Sequence, residues 1–162
     1  PPKSKRTHLA GLIGALSGAE RHRPSRIGRS LHRAAELFPR RGLAILLSDL
    51  IPSPEESAQD VMEALEHLTY RGHDVICFHL LDHAELSLPF EGPTRFTDTE
   101  TQMQVTVQPE AIREEYHRQI AQFIGYYRDR CAEARIDFVQ VDTSVSFDRV
   151  LVAYLVNRRS HF

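Results

Sequence analysis

Two short apolar runs constrain this fold more than any other feature of the sequence: Leu43-Ala-Ile-Leu-Leu47 and Val75-Ile-Cys-Phe-His-Leu-Leu81, the second interrupted only by a histidine. A short continuous run of this kind, opened by Gly42 and closed by Ser48-Asp49 in the first case, reads as a strand buried on both faces of a parallel sheet. Between the two lies Pro52-Ser53-Pro54-Glu55-Glu56. There Ser53 is predicted to cap a helix, Pro54 to take its first position and Glu56 to return a carboxylate to the cap. Ala58, Val61, Leu65 and Leu68 supply the buried stripe of that helix, and Arg71-Gly72 its end. Strand, helix and strand make a βαβ unit, whose crossover is almost always right-handed. The class is therefore α/β.

The remaining segments fit the same class. Leu9, Leu12, Ile13 and Leu16 have helical spacing, as do Ile27, Leu31, Ala34, Ala35 and Phe38, where Pro39 and Gly42 end the segment. Residues 86–107 change texture, and Thr94–Asp98 with Met103–Val107 read as a β-hairpin inserted into the α/β frame. Pro109 opens a long helix with the stripe Ile112, Tyr116, Ile120, Phe123, Tyr127 and Cys131, about 25 residues or roughly 40 Å at 1.5 Å per residue. Ile136–Val141 is a third strand, and Phe147, Leu151, Ala153, Tyr154 and Leu155 line a terminal helix. The expected architecture is three-layered, a mostly parallel sheet flanked by helices. With 162 residues it is one domain or part of one.

Composition removes several function classes. No apolar run approaches the ~20 residues of a membrane-spanning helix. Cys77 and Cys131 sit inside apolar patterns, so neither a disulfide scaffold nor a Cys-rich zinc site is expected and a reducing, cytoplasmic setting fits best. Residues 1–41 hold 10 basic and 2 acidic side chains, against 10 basic and 20 acidic in residues 42–162. A basic arm can bind nucleic acid, but no aromatic residue interleaves with the arginines of residues 21–41, and the bland reading is that they solvate helix faces. The chain opens on Pro1 rather than Met, which suggests a fragment or a processed product.

In an open parallel sheet ligands bind beyond the carboxyl ends of the strands. The residues there are Ser48-Asp49, Asp82-His83 and Asp142-Thr143-Ser144, so each strand runs into an aspartate of the kind Mg²⁺ prefers. Polar caps also belong at such ends, and Asp142 would serve equally as the cap of the last helix. His79 and His83 have the i, i+4 spacing of ligands on a helix, but in a strand that spacing separates them by some 13 Å. Cys77 lies mid-strand, where a structural thiol is expected. No nucleophile elbow, phosphate-binding loop or dinucleotide-binding turn occurs.

Arg41-Gly-Leu-Ala-Ile-Leu-Leu-Ser-Asp-Leu50, Arg71-Gly-His-Asp-Val75, Leu88-Pro-Phe-Glu-Gly-Pro-Thr-Arg-Phe96 and Ile136-Asp-Phe-Val-Gln-Val-Asp-Thr-Ser144 together resemble the bacterial family labelled domain of unknown function 58. The resemblance implies a von Willebrand factor A-like domain, doubly wound and related to Rossmann folds, with a metal-ion-dependent adhesion site for Mg²⁺. By position Asp49 matches the ligand after the family's fourth strand, and Ser25 stands where the family has a ligand Thr. The Asp-x-Ser-x-Ser loop has no counterpart, which implies that the chain begins after the family's third strand and that tight Mg²⁺ binding belongs to a longer protein. The implied function is a non-enzymatic protein-interaction module working with a MoxR-type AAA ATPase in chaperone-like complex maturation. The rival reading is a metal-dependent phosphoesterase using Asp49, Asp82 and Asp142, with Ser48 and Thr143 on the same rim. A nucleic-acid binder through residues 21–41 is a third. The missing strands would also leave an open edge at residues 43–47, from which self-association is expected. A membrane anchor upstream stays open.

Overall fold

The computed structural model describes residues 6–18, 26–98 and 102–159. Helices α1 (Arg6–Ser17) and α2 (Ile27–Leu37) come first. They are followed by β1 (Leu43–Ser48), α3 (Ala58–Tyr70), β2 (Asp74–Leu81) and the short α4 (His83–Ser87). The chain then forms β3 (Thr94–Thr97), β4 (Gln104–Val107), α5 (Pro109–Glu133), β5 (Asp137–Asp142) and α6 (Phe147–Arg159). Strands β1, β2 and β5 form a parallel sheet in that spatial order, with Leu43 beside Asp74 and Ile76 beside Asp137. The expected hairpin is present as a separate antiparallel pair, Phe96 opposite Val105.

Alternation along the strands divides the core between two layers of helices. Ala44, Leu46, Val75 and Cys77 point to the face covered by α2, α3 and α5, where they meet Ala35, Leu65, Tyr127 and Cys131. Ile76, Phe78 and Val141 point to the other face and meet Val150, Leu151 and Tyr154 of α6. Each fully buried aliphatic side chain contributes roughly 1.5–3 kcal/mol, which is why these two layers hold the sheet. The helices therefore stand on both faces, as the sequence pattern implies.

Four expectations are corrected. β1 is not buried on both faces: Leu43, Ile45 and Leu47 are 58%, 54% and 57% exposed, because β1 is an edge strand and the core under α6 contains none of its side chains. Helix α3 does not begin at Ser53. Its cap is Ser57, whose side chain accepts the Asp60 N–H while Asp60 receives the Ser57 N–H at 2.6 Å. Glu56 instead accepts the Arg29 N–H at 3.0 Å and so caps α2. Along α6 the packed residues are Val150, Leu151 and Tyr154, whereas Phe147, Ala153 and Leu155 are exposed. Asp142 does not cap α6, which starts five residues on at Phe147; it accepts the Ser144 N–H at 2.9 Å and closes a tight turn. The predicted end of α3 does hold: Gly72 adopts φ 87°, and the N–H groups of Gly72 and His73 return to Thr69 and Leu68. Among the described residues no helix is long and apolar enough to cross a membrane.

Candidate functional site

The carboxyl ends of the three parallel strands form one rim, and each end is shaped by its own local hydrogen bonding. At the end of β1 the chain turns through Leu50, a buried residue at φ 57°. Such a backbone is costly for a leucine, so something must hold it. Two buried side chains do: His79 Nε2–H donates to the Asp49 carbonyl at 2.9 Å, and the Tyr127 hydroxyl to the Leu50 carbonyl at 3.0 Å. The Asp49 carboxylate accepts the Ile51 N–H at 3.2 Å, and the Ser48 hydroxyl accepts the Leu50 N–H at 3.1 Å. Asp49 is thus presented to solvent on a turn clamped from within.

At the end of β2 Asp82 caps the five-residue helix α4, accepting the Ala84 N–H at 2.8 Å while Glu85 accepts the Asp82 N–H at 2.7 Å. Across the sheet edge, at the end of β5, the Thr143 hydroxyl donates to Asp82 at 3.3 Å, and His83 Nδ1–H donates to Asp142 at 3.0 Å. The Ser144 hydroxyl, His83 and the Ser144 N–H together hold the Asp142 carboxyl down to about 2. Thr143 with Asp82 and His83 with Asp142 are therefore two hydrogen-bonded pairs that tie the end of β2 to the end of β5, while Asp49 stands apart at the end of β1. Ser25 lies outside the described residues.

Among the described residues no three His, Cys, Asp or Glu side chains are grouped as a metal site. Mg²⁺ takes six oxygens in near-ideal octahedral geometry. Asp49 offers one carboxylate beside a Ser48 hydroxyl already engaged with the backbone, so the described residues do not fit the ion by themselves. His79 faces the core and His83 opens α4, so their sequence spacing does not bring them together as ligands. Burial pushes the Cys77 thiol up to about 12, which leaves it unreactive at neutral pH. A His–Asp pair such as His83–Asp142 orients an imidazole. Among the described residues no hydroxyl or thiol hydrogen-bonds to that ring.

Beside the rim, α4, α5 and the hairpin enclose a recess of about 380 Å³. Leu88, Phe90, Phe96, Val107 and Ile112 line it, and Tyr116 closes its inner end by donating to the Glu85 carbonyl at 2.6 Å. A smaller apolar hollow of about 160 Å³ continues past Tyr116 toward Ile51 and Phe123. Arg113 ties the approach to the hairpin, bonding the Leu88 and Phe90 carbonyls at 3.3 and 2.8 Å. A more open cleft of about 960 Å³ lies at the opposite end of the sheet between Glu66, His73 and Arg130. Sequence reasoning reached the rim but not the recess, whose walls are brought together from residues 84 to 116. It also treated His79 only as a zinc candidate and Tyr127 only as stripe. The available signal was a histidine inside an otherwise apolar strand.

No curated protein and no solved structure matches the chain. A family model does, over residues 1–123, from α1 to the middle of α5. The match takes in β1, β2 and the hairpin but stops short of Ile136–Ser144, which carried part of the resemblance. With three quarters of its length matched, the chain belongs to the family described as protein of unknown function DUF58.

Proposed function

We propose that this chain is a non-enzymatic protein–protein interaction module, the carboxyl-terminal part of a von Willebrand factor A-like domain, and that its contact surface is the rim together with the hairpin recess. The observation that carries the reading is the recess. Apolar hollows of this size on a surface seat an aliphatic or aromatic anchor from a partner. Glu85 lines it, and the neighbouring rim carries Asp49, Asp82 and Asp142, so the fitting partner surface is an apolar anchor among basic residues. The family resemblance suggests a MoxR-type AAA ATPase as that partner, acting in chaperone-like maturation of complexes in the cytoplasm. In a longer protein that supplies further ligands, Asp49 is the residue that would bring Mg²⁺ to the contact.

The test is calorimetric titration of the chain with the MoxR-type ATPase of the same organism. Phe96→Glu and Ile112→Glu, both at exposed positions, are expected to weaken binding at least about tenfold, or 1.4 kcal/mol. Absence of binding, or binding indifferent to both variants, overturns the reading. So does turnover of a phosphoester that is lost in Asp142→Asn, which would favour the rival enzyme.

A further inference from the structure

We propose that His32 of α2 and His67 of α3 form a two-histidine site for a borderline divalent transition-metal ion, Zn²⁺ or Cu²⁺, each giving its Nδ1 lone pair and leaving the outer positions to solvent. The site is separate from the rim and the recess, since His67 also lines the cleft at the opposite end of the sheet.

The backbone that carries the two rings is fixed by contacts that do not involve them. Glu56 accepts the Arg29 N–H at 3.0 Å, and Gly28 lies so close to the Asp60 carbonyl that an added Cβ would meet its oxygen at 3.1 Å. One turn further along α2, His32 meets His67 across the helix pair. Their Nδ1 atoms are 3.0 Å apart and the ring planes are inclined at 46°. Among the described residues neither ring hydrogen-bonds to any other group.

Without an ion, one Nδ1–H donates to the other Nδ1, which requires the two rings in opposite tautomers. With an ion, both Nδ1 atoms give lone pairs to the same centre. Two nitrogens each about 2.05 Å from one ion lie about 2.9 Å apart at a right angle and about 3.3 Å apart at the tetrahedral angle. The observed 3.0 Å falls inside that interval, so the rings need only turn and the helices need not move. Imidazole suits Zn²⁺, Cu²⁺ and Ni²⁺ whereas Mg²⁺ prefers oxygen, which separates this site chemically from the carboxylates of the rim. No third His, Cys, Asp or Glu is grouped with the pair among the described residues, so water completes the shell. The exposed side of His32 leaves room for it. Asp60 lies within electrostatic reach of His32, and the exposed Glu63 and Glu36 stand one turn before His67 and one turn after His32. These three carboxylates outnumber the two guanidinium groups one turn away along the same helices, Arg29 and Arg71.

Calorimetric titration of the full chain with ZnCl₂, and separately with CuCl₂, tests this. One ion per chain is expected, with Cu²⁺ tighter than Zn²⁺ and an excess of Mg²⁺ displacing neither. His32→Asn and His67→Asn are each expected to weaken Zn²⁺ binding at least about tenfold. His117→Asn, whose ring bonds to the Ser87 carbonyl instead, is expected to leave it unchanged. An unaltered circular dichroism spectrum of His32→Asn, at an exposed position, shows that the loss is not unfolding. Imidazole ¹⁵N NMR gives a readout that a folding defect does not imitate: opposite tautomers without metal, and with Zn²⁺ both rings protonated at Nε2 alone. Absence of Zn²⁺ binding up to about 1 mM, where a site of this kind is already populated, overturns the proposal. So does binding that survives His32→Asn, or Zn²⁺ that leaves the opposite tautomers in place. Failure of the recess variants to affect ATPase binding changes none of these readouts, so the two proposals fail separately.

Discussion

His79 shows how one polar atom is kept inside an apolar layer. Its ring is fully buried against Phe123, Tyr127 and Phe138, and its Nε2–H is satisfied by the Asp49 carbonyl, while Nδ1 has no partner among the described residues. Burial pushes its pKa below the ordinary 6.5, against a weaker upward pull from the Asp49 bond. The sign of the pH effect follows. Above about pH 6.5 both folded and unfolded chains hold the ring neutral, and below it the unfolded chain takes up the proton first, so stability falls with pH by up to about 1.4 kcal/mol per unit. Urea unfolding between pH 7.5 and 5 measures that slope; in His79→Phe it should shrink, by at most one proton's worth, and an unaltered slope assigns the effect elsewhere. The histidine itself was legible as the one polar residue between Val75 and Leu81. Its acceptor was not, because the Asp49 carbonyl is 30 residues away in sequence and comes within reach only when Ser48 registers beside His79.

Among the elements, α3 explains why a motif can be right in kind and wrong in place. Ser53-Pro-Glu-Glu56 and Ser57-Ala-Gln-Asp60 both satisfy the cap signature. The choice between them falls to tertiary contacts: Glu56 is drawn to the first turn of α2, where Gly28 lies so close to the Asp60 backbone that an added Cβ would meet it at 3.1 Å. Ser57→Ala should therefore lower unfolding stability by about 1 kcal/mol. Ser53→Ala should change it by no more than about 0.5 kcal/mol, because the Ser53 hydroxyl has no hydrogen-bond partner among the described residues. Equal losses on chemical denaturation would return the cap to the earlier serine. Helix α6 shows the same limit. Its apolar residues outnumber what one face can bury, so spacing selected Leu151 and Tyr154 correctly but also the exposed Phe147 and Leu155, and it passed over Val150, which packs with them.

At the scale of the molecule β1 departs from an ordinary parallel sheet. A parallel sheet normally has both faces covered, and here the face of β1 toward α6 is bare. The charge imbalance along the chain is also used at this scale. Arg26, from the basic arm, pairs with Glu55, and α2 is held to the acidic remainder partly in this way.

The sequence by itself determined the class, the strands, the hairpin and the 25-residue α5, because apolar periodicity is written locally and each element reads it from its own residues. It also identified the rim, since strand ends of a parallel sheet always gather there. Tertiary structure alone decided which face of β1 stays bare, which serine caps α3, which partners the rim carboxylates take and where the recess opens. Those outcomes depend on contacts between segments tens of residues apart. Their geometry is set by register and packing, and neither is encoded in the spacing of any single segment.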